Sequence, residues 1–441
     1  MKINALLLSG GLLIVMTTGA FGLTLTDSIN LALKQNPSVV ASQKKAEAAG
    51  AKLNQAIGAF FPTVKIDGNL GKSYTQPSTV QITTQTTAGA VTQNLTFGTN
   101  ATMNSSGLTA SLAQPVFVAA LFPGYGIAKR GADLANQDLR RTVIDTSYNV
   151  TQAYFGVLAA QKLAKLSAES LQMAQSHQQQ VQSMLNTGVV TKADLLRTEV
   201  QVANSEVALT QAKNSVELAK DAYNNALGND LETAVDLQET GFTGTAPNLP
   251  DYKALLVQAF ANRPDWQQFL LSTGISEDTL RVYQSEYLPT VMLAASTGNS
   301  VTEYPTFKSD VNNWQVTGSG SWTLFDGLGR ENRIREAAAN LDAQRANEEQ
   351  VKNGIALEVR DAHLSLKATL DTISSTKKAV DSAEESYKVS STRYQSGVGT
   401  NLEVIDAQVA LNQARVNNLQ SLFNVEIAKA KINKVVGKEV L

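Results

Sequence analysis

"TGVVTKADLL" (187–196) and "SGVGTNLEVI" (396–405) interrupt two otherwise long helical patterns with nearly the same phrase. In each, Gly-Val-x-Thr is followed by an acidic residue three positions after the threonine, and then by two apolar residues. Glycine tolerates the backbone conformation of a tight turn, and a threonine with an acid three residues on is typical of a helix start. The two stretches therefore predict two equivalent helix–turn–helix hairpins. Their turn residues are Gly188, Val189 and Thr191 in the first, and Gly397, Val398, Gly399 and Thr400 in the second.

An internal duplication extends well beyond these turns. "NPSV" with Pro37 is matched by "RPDW" with Pro264, and Gly228 near the end of the first half is matched by Gly437. Matches that recur in the same order along a whole chain indicate a repeated structural unit. The sequence predicts a first repeat at 23–228, a loop-like linker at 229–250, a second repeat at 251–437 and a short tail at 438–441.

Each repeat is predicted to contain a helix, two strands and a long helical hairpin. The predicted strands are 63–74 and 104–117 in the first repeat and 289–303 and 312–325 in the second, with helical hairpins at 129–228 and 329–436. The uncharged stretch 75–104, rich in Thr, Gln and Gly, is interpreted as a long loop between two strands.

The predicted strands alternate between apolar and polar residues. "WQVTGSGSW" (314–322) places Trp314, Val316 and Trp322 on one face and polar residues on the other. Two tryptophans on one face, eight positions apart, match the spacing of the aromatic girdles of a transmembrane barrel. Four strands cannot enclose a pore by themselves, whereas three copies of the chain give 12 strands. The strands therefore favour a trimeric β-barrel over a soluble sheet.

The long helices carry apolar residues in coiled-coil rows. In the last helix one row runs through Val404 and Leu411 and a second through Leu402 and Val409, which predicts a neighbour on each side. A ring of helices fits this pattern better than a four-helix bundle. On this geometry the narrower arc, which should face inward, carries Gln408 and Arg415, whereas Glu403 and Asp406 lie on the wider arc.

Composition excludes several classes of function. The chain has 441 residues, 37 Lys and Arg against 39 Asp and Glu, and a net charge of −2, which gives no case for nucleic-acid binding. Without cysteine there is no thiol chemistry, no cysteine zinc site and no lipoprotein-type anchor. The two histidines, His177 and His363, are predicted to be ordinary helix-surface positions with no metal or catalytic role. Residues 1–22 are predicted to be a signal peptide.

Taken together, these motifs resemble the TolC-type outer-membrane efflux protein family over essentially the full mature chain. The resemblance rests on "LTLTDSINLALKQNPSV", "FFPTVKI", "LAQPVFVAALF", "YLPTVML" and "WTLFDG" as well as on the two turns. It implies a homotrimer with a 12-stranded barrel in the outer membrane of a Gram-negative bacterium and a helical tunnel in the periplasm. The implied partners are outer-membrane lipid, a periplasmic adaptor and an inner-membrane transporter of the RND, ABC or MFS type. No cofactor is implied.

The resemblance also assigns site residues. The two turns correspond to the family's adaptor-docking tips, and Trp314 and Trp322 to membrane-interface aromatics. Asp194, Tyr394, Glu403 and Asp406 match the family's periplasmic gate, where acids from three copies form rings. Gly399 replaces a basic residue of some members, which leaves Arg197 as a candidate substitute for the lock between helices.

Two alternatives stay open at this stage. A coiled-coil scaffold in the periplasm or on the surface would use the helices without placing the sheet in lipid. An enzyme is weakly suggested by "GYGIAKRG" (124–131), but its glycine spacing is wrong for phosphate binding and no strand–turn–helix unit surrounds it.

Overall fold

The computed structural model describes residues 22–87, 89–98, 100–238 and 249–439. The predicted signal peptide, apart from residue 22, lies outside the described residues, as do residues 239–248 of the linker and the last two of the tail. The helices are α1 Leu25–Gln35, α2 Pro37–Gly58, α3 Leu121–Asn186, α4 Lys192–Leu227, α5 Tyr252–Asn262, α6 Pro264–Ser285, α7 Gly329–Gln395 and α8 Asn401–Val435. The strands are β1 Thr63–Thr75, β2 Ser78–Thr86, β3 Gly89–Phe97, β4 Ala101–Phe117, β5 Thr290–Glu303 and β6 Lys308–Ser321.

Proline divides the helical segment at the start of each repeat in two. Pro37 and Pro264 each occupy the first position of a helix, where the missing N–H costs nothing. The residue before a proline is disfavoured in the α conformation, and Asn36 and Arg263 both have extended backbones. The single helix predicted for each repeat is therefore two helices.

Of the two longest helices, α3 is longer than predicted and α7 begins where predicted. Helix α3 has 66 residues and α7 has 67, which at ~1.5 Å per residue is about 100 Å each. Helix α3 begins at Leu121, earlier than the expected residue 129, because Pro123 lies in its first turn, where a missing N–H costs no helical hydrogen bond.

Four strands form one antiparallel sheet in the order β1-β4-β5-β6, so β1 and β6 are its edges. Cross-strand pairing aligns side chains into rows. One row joins Val64, Leu112, Ala295 and Val316, and the next apolar row joins Ile66, Ala110, Thr297 and Trp314. On the other face the rows are Lys65, Ser111, Ser296 and Gln315, then Asp67, Thr109, Gly298 and Asn313. The sheet thus has one apolar and one polar face.

The apolar face is open in the single chain. Trp314 is 79 % exposed, and Val64, Ile66 and Val316 are also exposed. An apolar surface of this extent marks contact with a membrane or a partner.

Strand β6 ends earlier than predicted. Its last residue is Ser321, so Trp322 lies just beyond it, and the assignment of a strand up to residue 325 is wrong. The indole Nε1 of Trp322 donates to the carbonyl oxygen of Tyr287 at 3.0 Å. This hydrogen bond links the end of the sheet to the chain just after α6. Trp322 therefore does not continue the pairing of β6 with β5.

The stretch interpreted as a loop contains regular structure. Strands β2 and β3 pair with each other as a separate two-stranded sheet, and β4 already begins at Ala101. The loop interpretation was wrong because the absence of charge and the many Thr and Gln residues were given more weight than the period-two alternation in "STVQITTQT" (78–86).

The chain has two compact units, and each combines segments of both repeats. Of the described residues, the first contains those up to Lys45, those of Asn136–Gln267 and those from Glu349 on, whereas the second contains those of Ala46–Ala135 and Gln268–Glu348. The four-stranded sheet belongs to the second unit, and both helical turns belong to the first. A core of the first unit packs side chains from α1, α3, α4 and α8, among them Ile29, Tyr154, Tyr223, Leu227 and Phe423.

Candidate functional site

The first turn connects α3 to α4 through a hydrogen-bonded glycine motif. The Gly188 N–H donates to the Leu185 carbonyl at 2.9 Å and the Val189 N–H to the Met184 carbonyl at 2.9 Å. These two bonds define a Schellman motif, which requires the left-handed conformation that Gly188 adopts at φ 76°. Glycine is therefore needed here for its backbone, and the side chain of Val189 is left exposed at the turn.

The second turn repeats this geometry between α7 and α8. The Gly397 N–H donates to the Tyr394 carbonyl and the Val398 N–H to the Arg393 carbonyl, both at 3.0 Å, and Gly397 has φ 77°. Gly399 is required for a different reason, because a Cβ there would lie 2.9 Å from the Tyr394 backbone nitrogen. A side chain at position 399 would require the backbone at Arg393 and Tyr394 to shift.

The two returning helices are capped differently. Thr191 and Asp194 form a full capping box: the Asp194 N–H donates to Thr191 Oγ1 at 3.3 Å, and the Thr191 N–H donates to Asp194 Oδ2 at 3.1 Å. At the second turn the Glu403 N–H donates to Thr400 Oγ1 at 3.3 Å, but no return bond from the carboxylate is present among the described residues. The expected capping box is thus complete only at the first turn.

The acids at the two turns differ as a result. Hydrogen bonding from Thr191 lowers the pKa of Asp194, and Arg197 adds a weaker electrostatic contribution at 3.9 Å within the same helix. Within the described chain, the carboxylates of Glu403 and Asp406 are exposed and have no ion-pair or hydrogen-bond partner. Asp194 is therefore held by its own turn, whereas the two acids of α8 are free to act on something else.

The ion pair that Arg197 forms lies within its own helix, α4. Its guanidinium reaches Asp194 one turn earlier in α4, at an N–O distance of 3.9 Å. This ion pair is local and does not join two helices of the chain.

We expect Thr191→Ala to loosen the first turn more than Thr400→Ala loosens the second. Loss of a threonine cap costs about 1 kcal/mol, and at Thr191 the substitution also breaks the contact with the Asp194 carboxylate. Amide hydrogen exchange at residues 192–196 should accelerate roughly fivefold or more in Thr191→Ala. Equal acceleration at the two turns would contradict the asymmetry of the caps.

Tyr394 lies behind the turns in a small apolar cluster. Its side chain is 5 % exposed and packs with Val181, Leu195 and Val404. Burial raises the pKa of the Tyr394 hydroxyl, and the negative charge of Asp194 raises it further. The hydroxyl is buried and makes no hydrogen bond within the described chain. A buried hydroxyl without a hydrogen-bond partner costs free energy.

His177 belongs to the same cluster and is not a surface residue. It is 7 % exposed, its ring packs edge-on against Tyr394 at 5.3 Å, and its Nε2 lies 2.7 Å from Asn401 Oδ1. Asn401 in turn donates from Nδ2 to the Asp194 carbonyl at 3.0 Å. A chain of hydrogen bonds thus connects α3, the start of α8 and the start of α4. His363, the other histidine, is only half-buried.

Sequence reasoning missed His177 because a lone histidine in a polar helix was assigned to the surface. The signal that could have found it is the coiled-coil spacing of its neighbours. Ala174, His177 and Val181 follow one another at intervals of three and four residues, and all three are buried.

We expect acidification to loosen this hydrogen-bonded link. Burial lowers the pKa of His177 below its ordinary value of 6.5, so the folded state resists protonation more than an open state does. The contribution of His177 is therefore present above pH 6.5 and is lost as the pH falls below that value. The protection factors of the amides around Asn401, which correct for the intrinsic pH dependence of exchange, should fall with acid in the natural chain but stay level in His177→Gln, which does not titrate. A pH response retained in His177→Gln would contradict this assignment.

Gln408 does not lie on an open, inward-facing arc, as the seam pattern suggested, whereas Arg415 remains partly exposed. Gln408 is fully buried and donates from Nε2 to the Ser170 carbonyl at 3.3 Å. Arg415 pairs with Glu384 at 2.6 Å. Gln408 thus packs α8 against α3, and Arg415 links α8 to α7.

No helix in the described ranges is at once long and apolar enough to cross a membrane. Nor do these ranges bring together three or more acidic, histidine or cysteine side chains that could hold a metal ion.

Similar proteins share both the sequence and the fold. The family described as "Outer membrane efflux protein" matches residues 28–229 and again 255–438. The chain is 24 % identical over 416 residues to outer membrane protein TolC of Escherichia coli strain K12, covering 91 % of this chain and 80 % of that protein. It is 24 % identical over 435 residues to the alkaline protease secretion protein AprF of Pseudomonas aeruginosa, covering 98 % and 88 %.

Solved structures give the same fold. The outer-membrane channel OprN superposes with a TM-score of 0.78 at 19 % identity, covering 94 % of this chain and 89 % of that one. CusC superposes with a TM-score of 0.79 at 18 % identity, covering 95 % and 93 %.

An amphipathic four-stranded sheet with exposed edges, and two helices of about 100 Å each, are the parts of a trimeric channel-tunnel of the outer membrane. The chain belongs to the outer membrane efflux protein family. It is the outer-membrane component of an efflux or type I secretion system and works with a periplasmic adaptor and an inner-membrane transporter. Its sheet lies in the outer membrane of a Gram-negative bacterium and its helices in the periplasm, which rules out the soluble scaffold alternative.

Proposed function

We propose that the protein is a passive exit duct whose two helical turns form the adaptor-docking end of the tunnel. The observation that carries this proposal is the matched exposure of Val189 and Val398, at 65 % and 69 %, on two turns with the same backbone hydrogen bonds. Apolar side chains held on rigid turns give a partner a defined surface at low entropic cost. Gly188, Thr191, Gly397, Gly399 and Thr400 shape these turns.

We further propose that the second turn lines the periplasmic gate and the first supports it. Glu403 and Asp406 carry exposed carboxylates without partners in the described chain, and a trimer repeats them around one axis. Like charges brought together in this way repel one another and attract cations. Asp194 and Tyr394 support the gate without lining it, because Asp194 is engaged in its helix cap and Tyr394 is buried.

The apolar face of the sheet is the proposed contact with outer-membrane lipid. Trp314 lies within that face and Trp322 at the end of the sheet nearest the helices. Tryptophan favours the boundary between lipid and water, which supports both residues as membrane-interface aromatics.

Passive conduction requires no catalytic residue and no cofactor, since the inner-membrane transporter supplies the energy. We therefore infer that the protein is not an enzyme. The names of two relatives refer to alkaline protease secretion and to cobalt, zinc and cadmium resistance. Cargo this diverse favours selection by the transporter and adaptor rather than by the duct.

Site-specific crosslinking tests the docking proposal. A photoreactive residue at position 398 is expected to capture the adaptor in cells, and the same residue at Leu70, exposed on the sheet, is the control. Capture from Leu70 but not from position 398 would refute the assignment of the turns.

A further inference from the structure

The β2–β3 hairpin is a sharply two-faced element that the duct function leaves unexplained. Its antiparallel register places Val80 opposite Leu95, Ile82 opposite Gln93, and Thr84 opposite Val91. Opposite residues share a face, so the large apolar side chains of the hairpin all lie on one side. They are Val80, Ile82, Val91, Leu95 and Phe97, each between 42 % and 56 % exposed.

The other face is polar and internally hydrogen-bonded. It carries Thr79 opposite Thr96 and Thr83 opposite Thr92, with hydroxyl-to-hydroxyl distances of 3.4 Å and 3.2 Å. Gln81 lies between these pairs. This face is suited to contact with water. The hairpin therefore resembles a pair of surface strands whose apolar face has nothing packed against it.

In the described chain, β2 and β3 pair only with each other and form a sheet apart from the four-stranded one. An isolated two-stranded hairpin with an apolar face in water is marginal at best. Something outside this single chain must therefore cover the face formed by Val80, Ile82, Val91, Leu95 and Phe97.

The position of the hairpin limits what that cover can be. The hairpin is inserted between Thr75, the last residue of β1, and Ala101, the first of β4. This is the end of the sheet opposite to the one where α2 precedes β1 and α3 follows β4. Since the helices are periplasmic, the hairpin lies at the outer mouth of the barrel. Strand β1 is also a sheet edge, where the neighbouring protomer joins in a closed trimer.

The absence of charge in this segment indicates that the other protomers cover the apolar face of the hairpin. No Asp, Glu, Lys, Arg or His occurs between Lys72 and Lys129. Any charge in this segment would be repeated three times around the axis and would repel its copies, so the absence of charge favours close approach of the three copies. We propose that the apolar faces of the three β2–β3 hairpins pack against one another and narrow the outer mouth of the duct.

This mouth is separate from the proposed periplasmic gate, so the proposal does not rest on the assignment of the turns. Cargo leaving the tunnel pushes the hairpins apart, and the Thr- and Gln-rich faces stay in water throughout. The cover is weak enough to part, since it consists of a few side chains from each copy.

Disulfide trapping tests the packing directly, because the natural chain has no cysteine. Leu95→Cys and Val80→Cys on the apolar face are expected to form disulfides between protomers under oxidation in intact cells. Gln81→Cys and Thr83→Cys, on the polar face of the same hairpin, are the matched controls and should stay unlinked. Heat-modifiable trimers in every variant would show that the barrel is assembled.

Access to the lumen provides a second measurement that is independent of the periplasmic gate. A cysteine at Asn313, on the polar face of the sheet, is treated from outside with a bulky maleimide. Adding Val80→Asp with Leu95→Asp should open the mouth and speed labelling about tenfold, whereas Thr79→Asp with Thr96→Asp should change it little.

The outcomes separate the possible covers. Apolar-face disulfides together with faster labelling support the hairpin cluster. Apolar-face cysteines that label freely in intact cells would show an open face and overturn the proposal. Cysteines that neither crosslink nor label would show that lipid or a foreign protein covers the face, and this also overturns it.

Discussion

Val398→Asp is expected to abolish export while folded trimers still reach the outer membrane. The side chain is 69 % exposed, so an aspartate costs the fold little, and the turn keeps its backbone hydrogen bond from position 398 to Arg393. In the complex the same carboxylate would be buried in an apolar contact without a partner, which is strongly unfavourable. We expect export to fall by about tenfold or more, because side chains central to an interface carry most of its binding energy.

Two measurements check this result. Export activity is compared with the amount of heat-modifiable trimer in isolated outer membranes. Val398→Thr, which keeps the shape of the side chain without adding charge, is the matched control and should export nearly normally. Undiminished export by Val398→Asp would remove the second turn from the docking surface.

Glu403→Gln combined with Asp406→Asn is expected to weaken block of the channel by divalent cations about tenfold. At the proposed gate of a trimer these two positions would bring six carboxylates near one axis, and the double substitution removes all of that charge with little change in shape. Both side chains are exposed and unpaired in the described chain, so no fold-stabilising ion pair is lost. Single-channel conductance in planar bilayers, with and without divalent cation, measures the effect.

The control for charge at the turns is Asp194→Asn. The carboxylate of Asp194 is committed to the Thr191 cap, so its loss should loosen the first turn while changing cation block much less. If the double variant is blocked as strongly as the natural channel, the gate does not lie at these acids. If Asp194→Asn reduces the block equally, the first turn lines the gate as well.

Local sequence patterns predicted those parts of the site that a single segment of the chain forms. Glycine at 188 and 397 and threonine at 191 and 400 predicted both turns, because each turn is made by a few consecutive residues. The same holds for the sheet, whose strands follow a period of two over ten or more residues. The β2–β3 hairpin was missed because the composition of residues 75–104 was given more weight than the alternation of apolar and polar residues within it.

Other failures concern where individual side chains lie. The burial of His177 is decided by Tyr394 and Asn401, which are more than two hundred residues away in the chain. The incomplete cap of Glu403 depends on the exact placement of its carboxylate, since its sequence context resembles that of Asp194. No local pattern contains this information.

The amino-acid sequence by itself determined the duplicated order of elements, the two turns and the apolar face of the sheet. Each is encoded by the spacing of apolar, polar and glycine residues along one segment. Only the tertiary structure decided which faces meet: both compact units combine the two repeats, Gln408 is buried against α3, and the β2–β3 hairpin is left without cover. The physical reason is that periodicity fixes the direction in which a side chain points, whereas packing between distant segments fixes what it touches.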